Sequence, residues 1–191
     1  MKYRKIPFVN SKQLLQRFEL SSEEAEALVN ADMTPEQLIT VLTDAGEYID
    51  LTQFLCHALP VREVIWWCCL ALELRNDVWT DAQQAAIKNA RAWVREPDEA
   101  KRRLAEQQAE KLGNENGPGW LAQAVFWNGS GSLSEVGMPA VMPADFLYAK
   151  AAAGAINLAA ALPEWQGRDK FYQRVFAMGL NIADGGNGQI D

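Results

Sequence analysis

The chain has 191 residues, 49% of them hydrophobic and 23% charged, and its net charge is −7 at pH 7. This length and composition favour one domain with a sizeable core. The acidic balance argues against a nucleic-acid-binding protein, because such proteins need a basic surface to displace counterions from phosphates. The longest apolar run, residues 151–162, is too short to span a bilayer, and the basic start of the chain lacks the apolar stretch of a signal peptide. We therefore expect a cytoplasmic protein without a membrane span.

Charge is unevenly distributed over the first third of the chain. Residues 1–18 carry five basic residues and no acidic one, whereas residues 19–61 carry nine acidic residues and no Lys or Arg. We expect these two segments to pair within the fold. The alternative is an acidic face that meets a basic partner.

Helix signals run from end to end. Residues 21–24 and 34–37 both read Ser/Thr-x-x-Glu/Gln, the pattern of a capping box, and Pro35 suits the first helical position. Apolar residues then recur at helical spacing, and strict two-residue alternation is scarce. The sequence predicts an all-α, single-domain, irregular bundle of about eight to ten helices over residues 1–191. Residues 1–9 are expected to form an extended arm and residues 184–191 a flexible tail.

Residues 59–73, LPVREVIWWCCLALE, should form the central helix. Val64 to Leu72 is apolar on every side, and a helix that is apolar all round is buried all round. Arg62 and Glu63 fall in its first turn, where either could form a salt bridge. Whether their role is structural or functional stays open at this stage. Farther along, small residues between Ala151 and Ala159 should let neighbouring helices approach closely, with self-association as the lesser alternative.

Metal and catalytic sites are weakly indicated. Cys56, His57, Cys68 and Cys69 are close in sequence, but adjacent helical residues point about 100° apart and no Cys-x-x-Cys spacing is present. We predict buried free cysteines, no metal and no cofactor. A small enzyme or ligand-binding domain would have to use the single histidine, His57, in a pocket near Trp67. This is the alternative to a non-catalytic protein.

One long connection interrupts the helices. Residues 126–146 read FWNGSGSLSEVGMPAVMPADF, which matches neither a phosphate-binding loop nor a nucleophile elbow. Prolines favour an extended backbone, and methionines offer adaptable apolar contacts. We interpret residues 128–146 as a strap that either packs across the bundle or docks a protein partner. The candidate partner-binding residues are Trp127, Met138, Pro139, Val141, Met142 and Pro143.

Three segments together resemble a known family. Residues 55–70, LCHALPVREVIWWCCL, resemble its Leu-Pro, Arg-Glu and Trp-Trp-x-Cys hallmark, and residues 92–104, AWVREPDEAKRRL, its Trp-Val-Arg-Asp-Pro junction. Residues 125–155 resemble its Gly-Ser turn, Pro-rich strap and Ala-rich helix, although Glu135, Val136 and Asp145 stand where the family is richer in Pro. The family comprises bacterial helical proteins of unknown function whose genes often lie near type VI secretion clusters. The resemblance implies a non-catalytic accessory protein, an adaptor or chaperone for a secreted effector or a spike component, and it brings no catalytic residues.

Overall fold

The computed structural model describes residues 3–135 and 137–190. Met1, Lys2, Val136 and Asp191, which belong to the predicted arm, strap and tail, lie outside the described residues. The described part contains ten α-helices and no β-strand, which confirms the predicted all-α class. The helices are α1 (Lys12–Leu15), α2 (Glu23–Leu28), α3 (Pro35–Ala45), α4 (Tyr48–Ala58), α5 (Val61–Glu73), α6 (Asp81–Arg95), α7 (Glu99–Leu112), α8 (Gly117–Phe126), α9 (Leu147–Ala160) and α10 (Arg168–Ala183), with a 3₁₀ turn at Trp165–Gly167 before the last.

Local capping chemistry explains where several helices begin. The Thr34 hydroxyl accepts the N–H of Gln37, whose side chain returns a bond to the backbone of Thr34, as the sequence predicts for α3. The sequence predicts a capping box over residues 21–24 with Ser21 as the cap, and this prediction is wrong by one residue. Ser22, not Ser21, caps α2, because the N–H and hydroxyl of Ser21 are both bound by the buried carboxylate of Asp50 at 2.7 Å.

Helix α5 occupies the centre of the bundle, as predicted. It packs against α6, α8, α9 and α10, and its residues from Val64 to Leu72 are buried except for the half-buried Trp66. Trp67 is fully buried and donates its indole N–H to the carbonyl of Val175 at 2.7 Å. An apolar helix without an exposed face therefore forms the core onto which the other helices dock.

Helices α8 and α9 form the closest pair in the bundle. Small residues make this approach feasible, since a Cβ on Gly117 would lie 3.0 Å from the carbonyl oxygen of Ala155 and 2.7 Å from Leu72. Ala151, Ala155 and Ala159 are all completely buried. The Ala-rich segment therefore belongs to the core. The packing of α8 against α9 also fixes the positions of the two ends of the strap, which connects these helices.

The N-terminal arm does not pair with the acidic segment as expected. Lys5 forms its ion pair with Glu63 on α5 at 2.8 Å, and its backbone N–H binds the carbonyl of Ala183. Arg17 donates to the carbonyl of His57 at 2.7 Å, at the C-terminal end of α4. Between the described residues 3–18 and the carboxylates of 19–61 there is no ion pair. Lys5 thus holds the arm on the bundle, whereas carboxylates of the acidic segment such as Glu23, Glu24 and Glu26 are exposed to solvent.

The C-terminal segment, for which the sequence predicts a flexible tail, makes hydrogen bonds to the bundle. The carbonyl of Asn187 accepts the indole N–H of Trp66 at 2.7 Å, and the N–H of Gly188 binds the side chain of Asn181 at 2.9 Å. Gly188 is buried over Leu70, and its positive φ of 78° suits glycine. None of the helices in the described ranges has the length and apolar character that crossing a bilayer requires.

Candidate functional site

The strap, residues 128–146, begins with a tight turn just after the C-terminal end of α8. The side chain of Asn128 donates to the carbonyl of Val125 at 2.6 Å and accepts the N–H of Ser130 at 2.8 Å. Gly129 adopts a φ of 90°, a conformation that side chains rarely tolerate. The Gly-Ser sequence therefore serves to turn the chain sharply off the helix.

A fully buried arginine on α7 fixes the first half of the strap. The Arg102 side chain is 0% exposed, and it donates to the carbonyl of Phe126 at 3.0 Å and to that of Ser132 at 2.9 Å. Its guanidinium also binds both carboxylate oxygens of Glu99 at 2.6 Å. These bonds from Arg102 hold the pKa of Glu99 below its usual value. Gly131 passes so close that a Cβ there would lie 2.8 Å from the guanidinium.

Arg103 supports the same segment from the outside. It donates to the carbonyl of Ser132 at 3.1 Å and to that of Ser134 at 2.8 Å. Its remaining donors bind Glu99 and Glu106. Two consecutive arginines thus bind the backbone of the strap about 30 residues away in sequence.

Hydrogen bonds across the strap close its outer part into a loop. The N–H of Leu133 donates to the carbonyl of Val141 at 2.7 Å. The Ser132 hydroxyl accepts the N–H of Val141 at 3.0 Å and donates to its carbonyl at 3.3 Å. The backbone on both sides of the Met-Pro repeat is therefore held in place.

The closed loop presents apolar side chains to solvent. Met138 is 64% exposed, Val141 57% and Met142 54%, and among the large apolar side chains of the described residues only Val9 is more exposed. Pro139 is exposed and Pro143 is half-buried. The structure therefore brings five of the six candidate partner-binding residues together.

The sixth candidate, Trp127, is separate from that surface. It is half-buried and packs against the core. The far end of the strap is anchored by Phe146, which has a φ of 59° and lies under the guanidinium of Arg17 at 4.2 Å. A left-handed conformation is unusual for a bulky residue, and the cation–π contact helps to hold it. Trp127 and Phe146 thus support the strap from its two ends.

The His57 side chain is buried against aromatic rings. His57 is 1% exposed, its Nδ1 lies 2.8 Å from the carbonyl of Gln53, and its ring stacks on Phe18. Burial lowers the pKa of His57 to about 4, so the imidazole is neutral at pH 7. Its Nε2 has no hydrogen-bond partner within the described residues. Trp67, which the alternative hypothesis placed beside it, packs against Phe176 on α10 instead.

The cysteines are buried and free, as predicted. Burial raises the pKa of Cys56, Cys68 and Cys69, so each thiol is protonated at pH 7 and is a poor nucleophile or metal ligand. Within residues 3–135 and 137–190, no group of three or more His, Cys, Asp or Glu side chains is arranged to hold a metal ion.

Arg62 and Glu63 both have structural partners. Arg62 donates from Nε to the carbonyl of Val94 at 3.2 Å, at the C-terminal end of α6. Glu63 accepts the Lys5 ammonium that anchors the N-terminal arm. The Arg-Glu pair of the sequence motif therefore ties α6 and the arm to the central helix.

Comparison with known proteins places the fold and the strap in a family. Neither a curated protein nor a solved structure matches the chain. The model of a family of unknown function, DUF6931, matches residues 38–183, which run from α3 to the last residue of α10 and include the strap with both arginines that hold it. With most of its length matched, the chain belongs to this family of unknown function.

Proposed function

We propose that this is a non-catalytic cytoplasmic interaction protein whose strap binds a protein partner. The observation that carries the proposal is the exposure of Met138, Val141 and Met142 on a backbone fixed from both sides. Exposed large apolar side chains that cluster on one segment are typical of interaction surfaces. Methionine suits such a surface, because its flexible thioether adapts to the shape of a groove.

Fixing the strap before binding favours affinity. A flexible loop loses conformational entropy when a partner orders it, at about 1–2 kcal/mol per residue. Here the bonds from Arg102, Arg103 and Ser132 order the segment in the folded protein. Full burial of a Val or Met side chain contributes about 1.5–3 kcal/mol. Since the three side chains are still more than half exposed, covering them would contribute about 3–5 kcal/mol in total.

The acidic segment is a second surface suited to a protein partner. Six carboxylates between residues 19 and 44 are exposed and form no ion pair within the described residues: Glu19, Glu23, Glu24, Glu26, Asp32 and Asp44. Such a surface favours a partner with a basic patch, through steering and complementarity of charge.

The accessory role that we propose is in type VI secretion, as an adaptor or chaperone for an effector or a spike component. It rests on the resemblance of the three sequence segments. A holdase-like adaptor needs a stable scaffold and an adaptable apolar surface. The buried core around α5 and the exposed methionines of the strap meet these two requirements.

The test is co-purification of the tagged protein from its native bacterium, with bound proteins identified by mass spectrometry. The variant Met138→Asp/Met142→Asp should lose a partner that the wild type retains, with affinity reduced about 100-fold or more, because carboxylates would be buried in an apolar groove. The control is Ile49→Asp. It alters a side chain in the first turn of α4 that is 43% exposed, and this variant should retain the partner. Recovery of an effector, spike or sheath component supports the secretion role. Retention by all three proteins would place the contact away from the strap.

A ligand-binding function is the second candidate, and a specific cleft favours it. Gln16, Arg17, Phe18, Glu19, Gln53 and Lys150 line an open cleft of about 430 Å³. Gln53 lines this cleft, and its side-chain oxygen is buried without a partner among the described residues. His57, four residues farther along α4, has a buried Nε2 that also lacks a partner there. If a ligand binds in this cleft, its addition should change the chemical shifts of the His57 ring in NMR titrations. The variant Lys150→Gln should reduce these changes at the same ligand concentration.

A further inference from the structure

A small cleft between α5 and α10 has only cations among its charged lining residues. It has a volume of about 320 Å³ and lies between the C-terminal end of α5 and the first two turns of α10. Its lining residues are Leu74, Arg75, Gly167, Lys170, Phe171 and Arg174. Three positive charges and no carboxylate line this cleft in a chain whose net charge is −7.

Two of these cations are exposed and available to a ligand. Lys170 and Arg174 are four residues apart on α10, so their side chains lie on the same face of the helix. Neither forms an ion pair or a hydrogen bond with any described residue. In contrast, Arg91 lines a larger cleft where it is neutralised by Glu73 at 2.5 Å. The α5–α10 cleft has no such internal counter-ion.

The third cation, Arg75, is held in position beneath them. Its guanidinium lies over the ring of Phe171 at 4.7 Å, and its Nε donates to the carbonyl of Ala159 at 3.3 Å. Its Nη2 is buried and has no hydrogen-bond partner among the residues that the structure describes. Buried donors are normally satisfied, so an unused guanidinium nitrogen is a group that an incoming acceptor would stabilise.

The backbone adds to the positive potential. Gly167 lines the cleft and immediately precedes α10, a helix of 16 residues whose N-terminal end has no side-chain cap. The N-terminal end of a helix carries a partial positive charge and unpaired N–H groups that favour anions. The nearest acidic side chain of that turn, Asp169, pairs with Arg168 and does not line the cleft.

We propose that this cleft binds the phosphate group of a small molecule. Two guanidinium groups suit bidentate binding of a tetrahedral oxyanion, and a lysine adds a point charge, so the three positive charges more than offset the two negative charges of a phosphate. The volume lies at the lower end of the range for ligand pockets and suits inorganic phosphate or a small phosphomonoester. This site is independent of the strap, which lies between α8 and α9.

The experiment is isothermal titration calorimetry of the full chain with inorganic phosphate, with sodium chloride at equal ionic strength as the salt control. Wild type should bind one phosphate saturably. Lys170→Gln/Arg174→Gln should weaken binding at least 10-fold. Both side chains are exposed, so this variant should keep the wild-type midpoint of thermal unfolding. The matched control, Lys88→Gln/Arg95→Gln, removes two exposed cations of α6 with the same change in charge and should bind phosphate as wild type does.

Three results would overturn the proposal. They are the absence of saturable binding up to about 10 mM phosphate, equal weakening in the two double variants, and equally tight binding of acetate. A parallel titration with glycerol 3-phosphate distinguishes the source of the phosphate. Tighter binding than inorganic phosphate assigns the site to an organic phosphate, and equal binding assigns it to the free ion, both in support of the proposal.

Discussion

Replacing the buried Arg102 with methionine tests whether the strap is held by its guanidinium. Met fills much of the space of the arginine stem but supplies no donor. The carbonyl of Phe126 would lose its buried partner, whereas the carbonyl of Ser132 would keep its bond to Arg103. Glu99 would return to solvent at little cost, because its side chain is already 59% exposed.

The expected loss of stability follows from these bonds. A buried carbonyl left without a donor costs about 1–3 kcal/mol, and a bond shared with a second donor is worth about 1 kcal/mol. Arg102→Met should therefore lower the free energy of unfolding by about 2–4 kcal/mol. A domain of this size would then show a fall in Tm of about 5–15 °C.

The assay combines urea unfolding with hydrogen exchange of the strap amides. In the variant, the N–H groups of Leu133 and Val141 should exchange faster, since their cross-strap bonds depend on the position of Ser132. Lys101→Met, on the same helix, removes an ion pair with Asp98 at the surface and should change the free energy of unfolding by less than about 0.5 kcal/mol. Exchange and stability unchanged in Arg102→Met would refute the assignment of the guanidinium as the anchor.

Two further predictions concern the core. Burial lowers the pKa of His57 from 6.5 to about 4, so the unfolded chain binds more protons between these values and stability falls as the pH falls through them. Relative to His57→Gln, wild type should lose about 2 kcal/mol of unfolding free energy between pH 7 and about pH 5, and parallel pH profiles in urea unfolding would contradict this. Gly179→Ala would place a Cβ 2.7 Å from the buried ring of Trp67 and should cost about 1–3 kcal/mol by thermal unfolding. In the control, Gly154→Ala, the new Cβ meets Trp120 at an ordinary 3.7 Å, and the change should be neutral or stabilising by up to about 1 kcal/mol; equal losses in both variants would contradict the packing argument.

Local signals in the sequence predicted the helical elements well. Thr34 and Gln37 cap α3 as their spacing indicates, and the apolar run from Val64 to Leu72 becomes the central helix. These features depend on residues a few positions apart, which share one local environment. The register error at α2 has the opposite origin, because Ser21 is held by Asp50, 29 positions away in sequence.

The sequence did not predict the hydrogen bonds that arginine side chains form with distant backbone carbonyls. Several helices end at carbonyls that are bound by an arginine from a distant part of the chain: α4 by Arg17, α6 by Arg62, α8 by Arg102 and α9 by Arg75. The sequence places Arg102 four residues after Asp98, a spacing that suits an ion pair on one helix face. In the structure it pairs with Glu99 and is completely buried. Helical spacing predicts which side chains are neighbours on one helix, but it does not predict that the strap packs over Arg102.

The proposed roles of the anchor and of the apolar surface of the strap can be tested separately. Met138 and Met142 are exposed and contact little of the bundle, so their replacement by Asp should leave the free energy of unfolding unchanged while partner binding is lost. Arg102 lies beneath the strap, so Arg102→Met should lower stability and also weaken binding, because the partner would have to order a loosened segment. If the strap is the contact, both variants bind more weakly and only the second is less stable. Weaker binding in Arg102→Met alone would instead mean that the partner recognises another surface whose shape depends on the fold around α7.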